Sequence, residues 1–284
     1  MVEPVQSPWF RAALTGAALS CVLLLAEGPL QTSRVVRVAG TGAASGGLQA
    51  LAKAYEQQHP DESILILPSI GSSGGIRAAL DGKVDLGCTS RPLRPEEESP
   101  GLHTVPLANT AFVFATHLAT ATESLSLADV EDIYAGRRTH WKDGRPIRLI
   151  LRPKSDTAHA YLSGFTPGMQ AALEQAHALP GVRIGITDQE ALDQLERTPG
   201  SFGTAALGLV KSEERQVQAL TVGGIPPTDP AYPFFLTLSL VYKPETCSPA
   251  TRSFVAFALS KEGRQILLKA GYRPLALAPP KAKR

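Results

Sequence analysis

Short apolar runs and segments with helical periodicity alternate in the first part of this sequence. Mainly apolar runs over residues 35–39, 64–68 and 84–88, the first and last with one charged residue each, are typical of largely buried strands. Between them, the apolar positions of residues 47–58 and 76–80 have the spacing of amphipathic helices. This order of strand, helix, strand, helix and strand predicts a parallel sheet with helices packed on its faces.

The rest of the chain continues the alternation and predicts an α/β fold with two clusters of strands and helices. The chain leaves the first cluster near Ala115 and returns to it near Tyr232, so two extended segments join the clusters. The further predicted strands cover residues 105–116, 147–151, a short segment near 184, and 234–242. The further predicted helices cover residues 127–134, 155–165, 168–178, 189–197 and 248–270, the last broken near Gly263.

Residues 1–33 have the pattern of an export signal and not of a folded element. Arg11 precedes an apolar run over residues 12–26, whose length suits the roughly 7–15-residue core of a secretory signal better than a membrane span of about 20. Small residues at 26–28 suit cleavage by signal peptidase. The protein is therefore expected to be periplasmic or otherwise extracytoplasmic. An uncleaved membrane anchor and lipidation at Cys21 are open alternatives.

Charge and cysteine content narrow the class of partner. The chain has 28 Lys and Arg against 26 Asp and Glu, a formal charge of +2, and its only basic block is in the tail 280–284. Nucleic acid is therefore not an expected partner.

Cys88 lies in a predicted buried strand, where a small thiol packs like an apolar side chain, although pairing with Cys247 in an oxidising compartment is an alternative. The spacing of Cys and His matches no metal site, so we expect no metal or other cofactor.

Three turns rich in glycine, alanine and hydroxyl side chains lie where a predicted strand leads into a helix. They are residues 41–45 (Thr-Gly-Ala-Ala-Ser), 71–75 (Gly-Ser-Ser-Gly-Gly) and 155–157 (Ser-Asp-Thr). Backbone N–H groups converge at the N-terminus of a helix and attract anions. In open α/β sheets, ligands bind beyond the carboxyl ends of the strands. The three turns therefore predict an anion site between the two clusters.

Each of these features also has a purely structural interpretation. A Gly/Ser cluster between a strand and a helix often forms only a tight turn with a capping side chain, and Ser155 would be the N-cap of the helix that follows. Arg152 could equally be a surface residue in a salt bridge.

An enzyme is disfavoured. Residues 40–45 lack the third glycine of a dinucleotide-binding loop, and no histidine is placed by a motif to act as the base for a nucleophilic serine of a phosphoester hydrolase.

An ordered set of short motifs resembles the periplasmic phosphate-binding proteins of ABC importers. The resemblance covers nearly all of residues 35–277. It implies a type II periplasmic-binding-protein fold, with one α/β lobe from residues 34–115 and 231–279, a second from residues 116–230, and the ligand site between them. The matching motifs are residues 40–45 (GTGAAS), 71–75 (GSSGG), 84–91 (VDLGCTSR), 133–136 (IYAG) with Trp141, Arg152 with 155–157 (SDT), 200–203 (GSFG), 232–233 (YP) and 271–275 (GYRPL).

The resemblance implies a function as well as a fold. The protein would capture inorganic phosphate or a similar tetrahedral oxyanion and deliver it to the membrane permease of an ABC importer. It would act as a monomer and not as an enzyme. A stand-alone oxyanion sensor built on the same domain is the open alternative. The implied ligand-binding residues are Ala44, Ser45, Ser72, Ser73, Ser90, Arg91, Arg152, Ser155, Asp156 and Thr157.

Two positions depart from the family pattern and concern the identity of the anion. Asp156 stands where relatives usually have glycine, and Arg152 is one residue closer to Ser155 than is usual. Ser90 stands where some relatives carry an aspartate that accepts a proton from the ligand. A carboxylate beside an anion is unfavourable unless it accepts a ligand proton or faces away. Asp156 is therefore the acid that we expect to favour protonated phosphate over sulfate.

Overall fold

The computed structural model describes residues 34–98, 101–121 and 124–275. The predicted signal or anchor in residues 1–33, with Cys21, and the basic tail 280–284 lie outside these residues. Within the described ranges, no helix combines the length and the apolar character that a membrane span requires.

The strands of the described residues form one mixed sheet. Seven of them agree with predicted strands to within a few residues, whereas the strands at 201–206, 217–219 and 273–274 were not predicted. The strands are β1 (Arg34–Gly40), β2 (Glu62–Ile66), β3 (Leu86–Thr89), β4 (His103–His117), β5 (Arg148–Leu151), β6 (Arg183–Ile184), β7 (Ser201–Ala206), β8 (Val217–Ala219), β9 (Phe235–Tyr242) and β10 (Arg273–Pro274).

The helices of the described residues lie between these strands, as the alternating pattern predicts. Two short 3-10 helices accompany them, at Gly42–Ala44 and Pro95–Glu97. The α-helices are α1 (Ser45–Gln58), α2 (Gly71–Leu80), α3 (Leu127–Tyr134), α4 (Thr157–Leu162), α5 (Met169–Ala178), α6 (Asp188–Arg197), α7 (Leu207–Ser212), α8 (Pro249–Leu259) and α9 (Lys261–Lys269).

The sheet contains two parallel groups of strands joined by antiparallel pairs, in the order β2-β1-β3-β9-β4-β7-β5-β6. β1 pairs in parallel with β2 and β3, which confirms the parallel unit predicted from the sequence. β5 pairs in parallel with β6 and β7. The connecting pairs are antiparallel, because β9 lies between β3 and β4, and β4 continues onto β7. The predicted α/β class is therefore confirmed, with a mixed sheet.

Strand β4 determines how the two groups face each other. Its first part, residues 103–111, pairs with β9, and residues 112–115 pair with β7. From the pairings, β3 runs in the same direction as β4, whereas β5 and β7 run in the opposite direction. Since β3 is beside the first part of β4 and β7 beside the second, the carboxyl ends of the two groups point towards each other. Loops that follow these ends are therefore brought together.

Two apolar cores hold the helices on the sheet. The first packs Val36, Leu51 and Phe254 around the β1–β3 group. The second is largely aromatic and surrounds the later part of β4, where the rings of Phe114 and Phe202 stack with their centroids 5.6 Å apart. Large aromatic side chains bury much apolar area each, so this second core stabilises the β5–β7 group despite its short strands.

Two predicted helix starts fall later than the observed ones. α1 begins at Ser45 and α2 at Gly71, so glycines that were predicted to form turns lie within the first turn of each helix. In α2 the reason is packing. A Cβ at Gly75 would lie 2.6 Å from the Gly40 Cα, and one at Gly87 would lie 2.6 Å from the Gly75 carbonyl oxygen. The start of α2 is therefore pressed directly against β1 and β3.

The predicted break in the last helical segment is confirmed, but it lies at Ser260, between α8 and α9, three residues before Gly263. The Ser260 side chain accepts a hydrogen bond from the Gly263 amide at 3.0 Å and so caps α9. Gly263 belongs to the first turn of α9. A Cβ at this position would lie 2.3 Å from the Phe257 carbonyl oxygen, so the tight turn between the helices requires glycine.

Candidate functional site

A cavity of about 520 Å³ lies between the second and third hydroxyl-rich turns. One wall is residues 69–73 at the start of α2, together with Arg94. The other wall is Pro153, residues 155–157 and residues 186–187. Ser72 and Ser73 therefore face Ser155, Asp156 and Thr157 across the cavity, where the carboxyl ends of the two strand groups point towards each other.

Three buried hydroxyl groups meet at the α2 side of this cavity. The Ser72 Oγ accepts a hydrogen bond from the Ser90 amide at 3.0 Å and lies 3.1 Å from the Ser90 Oγ. The Thr41 Oγ1 donates to the same Ser90 oxygen at 3.3 Å. Because Thr41 follows β1, Ser72 begins α2 and Ser90 follows β3, the parallel sheet brings all three together. Thr41 is absent from the predicted set of ligands, although the first turn contains it.

Arg91 makes contacts that explain its position without a ligand. Its guanidinium binds both carboxylate oxygens of Glu97 at 2.6 Å and donates to the Ser73 Oγ at 2.8 Å. The hydrogen bonds from Arg91 hold the pKa of Glu97 below its usual value, against a smaller opposing effect of burial. Arg91 therefore fastens the loop after β3 to the start of α2, and its charge is already balanced. Its Nε is buried without a hydrogen-bond partner.

Arg152, the predicted cationic ligand, is buried among protein partners. Its Nη1 donates to the Gly185 carbonyl oxygen at 2.8 Å. Its Nη2 lies 2.9 Å from the Asp156 Oδ2 and 3.6 Å from the Asp188 Oδ2. The surface salt bridge that we weighed for it does not occur, since its side chain is only 6% exposed. One guanidinium thus faces two carboxylates.

Asp188 is a site residue that sequence reasoning missed. It begins α6, its side chain is 18% exposed, and its Oδ2 lies close to Gly42, where an added Cβ would be 2.7 Å away. Burial raises the pKa of Asp188, and so does the charge of Asp156, whereas Arg152 and the Gly42 amide lower it; the net shift is upward. The available signal was a fourth turn of the same kind, Thr187-Asp188, between the short β6 strand and a helix.

The first hydroxyl-rich turn is covered by the start of α6. The Ser45 Oγ donates to the Gly42 carbonyl oxygen at 2.8 Å and accepts from the Gln189 Nε2 at 2.7 Å. The Ala44 amide donates to the Thr41 carbonyl oxygen at 3.3 Å within the short 3-10 helix. Ala44 and Ser45 do not line the 520 Å³ cavity. The structure therefore brings the second and third turns together, and places protein groups against the first.

The third turn caps α4 with a different residue from the one predicted. Asp156, and not Ser155, is the N-cap, because its Oδ1 accepts a hydrogen bond from the Ala158 amide at 2.8 Å. Ser155 is exposed and Thr157 is half-buried. Asp156 thus both caps α4 and pairs with Arg152.

A second cavity of about 560 Å³ adjoins the same residues on the side of β9. Ser90, Arg91 and Thr157 line it, together with the rings of Tyr161 and Phe235.

Cys88 is buried, as predicted, and forms no disulfide with Cys247. Among the described residues, no group of three His, Cys, Asp or Glu side chains is arranged to hold a metal ion.

The chain matches the family model of the PBP superfamily domain over residues 26–262. This protein therefore belongs to the PBP superfamily. The fold agrees with that of solved phosphate-transport receptors, including one from Vibrio cholerae that is 21% identical, with a TM-score of 0.60 over 84% of this chain and 99% of the receptor. The predicted type II periplasmic-binding fold is confirmed.

Two further comparisons involve higher sequence identity. A structure from Clostridium perfringens, titled as a phosphate ABC transporter substrate-binding protein with bound phosphate, is 26% identical, with a TM-score of 0.74 over 86% of this chain and 100% of that protein. The phosphate-binding protein PstS 2 of Streptococcus agalactiae is 30% identical over 112 residues, and that of Streptococcus pneumoniae is 32% identical over 104 residues. These matches span 38% and 35% of the two curated relatives, and 39% and 37% of this chain.

Proposed function

We propose that this protein is an extracytoplasmic solute-binding protein that captures inorganic phosphate, or a similar tetrahedral oxyanion, between two lobes. The observation that carries the proposal is the buried cluster of Thr41, Ser72 and Ser90 hydroxyls. Ser72 of this cluster lines the cavity, opposite Ser155 and Thr157. Hydroxyl and amide groups suit an oxyanion, since each of its oxygens accepts hydrogen bonds. The phosphate bound to the Clostridium perfringens protein supports the same ligand class.

The binding residues have different roles in this proposal. Ser72, Ser73, Ser155 and Thr157 contact the anion from the two walls of the cavity, and Asp156 faces it as a hydrogen-bond acceptor. Ser90 orients Ser72, and Arg91 positions Ser73 through the contact described above. Ala44 and Ser45 contribute the first turn, and Arg152 contributes the cationic contact, once protein groups that now face them have moved.

The two lobes in the proposal are residues 34–115 with 231–279, and residues 116–230. The two crossing points support this division. β4 runs through the boundary at residues 115–116 and changes its pairing partner from β9 to β7 close to it. The return crossing precedes β9. Two adjacent crossings let one lobe rotate on the other, so that closure removes water from the anion and strengthens each hydrogen bond.

The export signal, the monomeric state and delivery to a membrane permease belong to the same proposal. Cleavage after residue 26 or 28 would release the protein, and mass spectrometry of the exported protein would determine the new N-terminus. Retention of residues 1–33 in the membrane fraction would instead support an anchor, and a lipid-modified Cys21 would support lipidation.

Calorimetry of the purified protein with sodium phosphate tests the proposed ligand. We expect saturable binding at one site, with sulfate much weaker, and no hydrolysis of 4-nitrophenyl phosphate. Absence of binding at millimolar phosphate would contradict the proposal. Turnover of the ester would contradict the non-enzymatic role.

A further inference from the structure

The Asp188 carboxylate contacts the first hydroxyl-rich turn and Arg152, which were both predicted to face the oxyanion. Its Oδ2 lies 3.6 Å from the Arg152 Nη2. A Cβ built on Gly42 would lie 2.7 Å from the same oxygen, so the carboxylate is in close contact with the turn. A negatively charged oxygen between the first turn and the guanidinium is where an oxygen of a bound oxyanion would lie.

We propose that Asp188 is an internal competitor of the ligand, which occupies this oxyanion position in the ligand-free protein and has to leave before the anion binds there. The inference rests on the proposed function, because it concerns the same site. It makes Asp188 a residue that determines the affinity and the pH dependence of anion binding.

The charges around Asp188 require such an exchange. Arg152 and Asp156 are the charged groups that act on the Asp188 carboxylate. Glu213 lies on the far side of Gln189, and the Glu213 Oε1 accepts a hydrogen bond from the Gln189 Nε2 at 3.2 Å. A divalent anion bound at Arg152 without displacement would share that guanidinium with the carboxylates of Asp156 and Asp188. Like charges at such distances in a partly buried site disfavour ionisation of all of them. The anion therefore binds only if Asp188 moves away or takes up a proton.

Three features favour departure of the Asp188 carboxylate from this position. The start of α6 is capped by Thr187, whose Oγ1 accepts from the Glu190 amide at 3.1 Å, so the helix does not depend on the Asp188 side chain. Thr187 itself lines the 520 Å³ cavity, so the start of α6 lies beside open space. Burial also raises the pKa of Asp188, which means that the ionised form is less favourable here than in water. Arg152 offsets only part of this penalty.

Two consequences for binding follow. The apparent dissociation constant equals the intrinsic constant divided by the fraction of molecules whose site is free, so a resident carboxylate weakens binding. The competition also depends on pH, because a protonated Asp188 no longer attracts Arg152. Removal of the charge is therefore expected to help binding more at neutral pH than at acidic pH.

Calorimetry with sodium phosphate on the full chain and on Asp188→Asn tests the proposal. We expect Asp188→Asn to bind phosphate about tenfold more tightly at pH 7, with a smaller gain at pH 5, since at pH 5 the wild type is partly relieved of the competition. Comparison at each pH cancels the titration of phosphate itself. Asp193→Asn is the matched control. It makes the same change in the same helix, where Asp193 pairs with Arg215 at 2.6 Å, and its affinity should equal that of the wild type.

The outcomes separate this proposal from the proposed function. If the wild type binds phosphate and a folded Asp188→Asn binds it equally or more weakly, the competitor role is wrong and the phosphate function stands. If neither protein binds phosphate, the proposed function fails and this inference with it. Binding by Asp188→Asn alone would support both. Circular dichroism and thermal melting verify folding, and Asp188→Ser replaces Asp188→Asn if the amide variant does not fold.

Discussion

Arg152 and Asp156 form a largely buried ion pair immediately before α4. The Arg152 Nη2 lies 2.9 Å from the Asp156 Oδ2, and its Nε lies 3.4 Å from Oδ1. The same carboxylate caps the helix through the Ala158 amide. The two departures from the family pattern, an acid at 156 and an arginine one residue closer to the turn, therefore occur in one contact.

Removal of the arginine should destabilise the protein. Arg152→Ala leaves Asp156 and Asp188 without their cation, and breaking such a buried pair costs about 3–5 kcal/mol. Urea denaturation at pH 7 measures the free energy of unfolding. The double variant Arg152→Ala/Asp188→Asn should recover part of the loss, because it removes one unpaired charge. A loss below about 1 kcal/mol in the single variant would contradict the importance of this contact.

The same variant should weaken phosphate binding. A charge-assisted hydrogen bond to a dianion is worth about 1.5–3 kcal/mol, which corresponds to at least about a tenfold rise in the dissociation constant. Calorimetry of Arg152→Ala under conditions where it is folded measures this. An unchanged constant would remove Arg152 from the site.

Asp156→Asn should relax the discrimination between phosphate and sulfate without abolishing phosphate binding. Only phosphate retains a proton near neutral pH. The Asp156 carboxylate accepts a hydrogen bond from that proton and repels sulfate, whereas an asparagine amide does not repel sulfate. Asparagine is also a good N-cap, so α4 should be preserved. We expect the ratio of the two affinities, measured by competition, to fall by about tenfold. A constant ratio would mean that Asp156 serves only Arg152 and the helix start.

Ser72→Ala should cost stability as well as affinity. It leaves the buried Ser90 amide without its acceptor, and an unsatisfied buried donor costs about 1–3 kcal/mol. The adjacent Ser73→Ala is the matched control. Ser73 is exposed and Arg91 keeps Glu97 in that variant, so unfolding should change by no more than about 0.5 kcal/mol. Equal effects of the two variants in chemical denaturation would argue against a special role for the buried cluster.

Glu97→Gln should lose stability in a pH-dependent way. Hydrogen bonds from Arg91 lower the pKa of Glu97 in the folded state, so the folded protein binds this proton less tightly than the unfolded chain. The resulting stabilisation is present above the ordinary pKa of 4.5 and disappears as the pH falls through the lowered value. The difference in unfolding free energy between wild type and variant should therefore shrink in acid. The exposed neighbour variant Glu96→Gln should show no such trend.

Local signals predicted several elements well. Helix α3 has its predicted bounds, because Ser126 accepts a hydrogen bond from the Asp129 amide at 3.0 Å at its start, and Gly136 has a positive φ of 70° just beyond its end. The second and third hydroxyl-rich turns also face each other as predicted. Both follow strand ends, and the direction of parallel strands brings such ends together.

The sequence by itself determined the periodicity of the elements, the caps, and the turns whose hydroxyls line the cavity, because these depend on residues within a few positions of each other. Only the tertiary structure decided which groups face Arg152 and the first turn. Gln189 bonds to Ser45 across 144 positions of sequence, and Asp188 lies close to Gly42 across a similar separation. Such contacts arise when separate strand groups pack together, and the local sequence of neither segment indicates which distant residue it will contact.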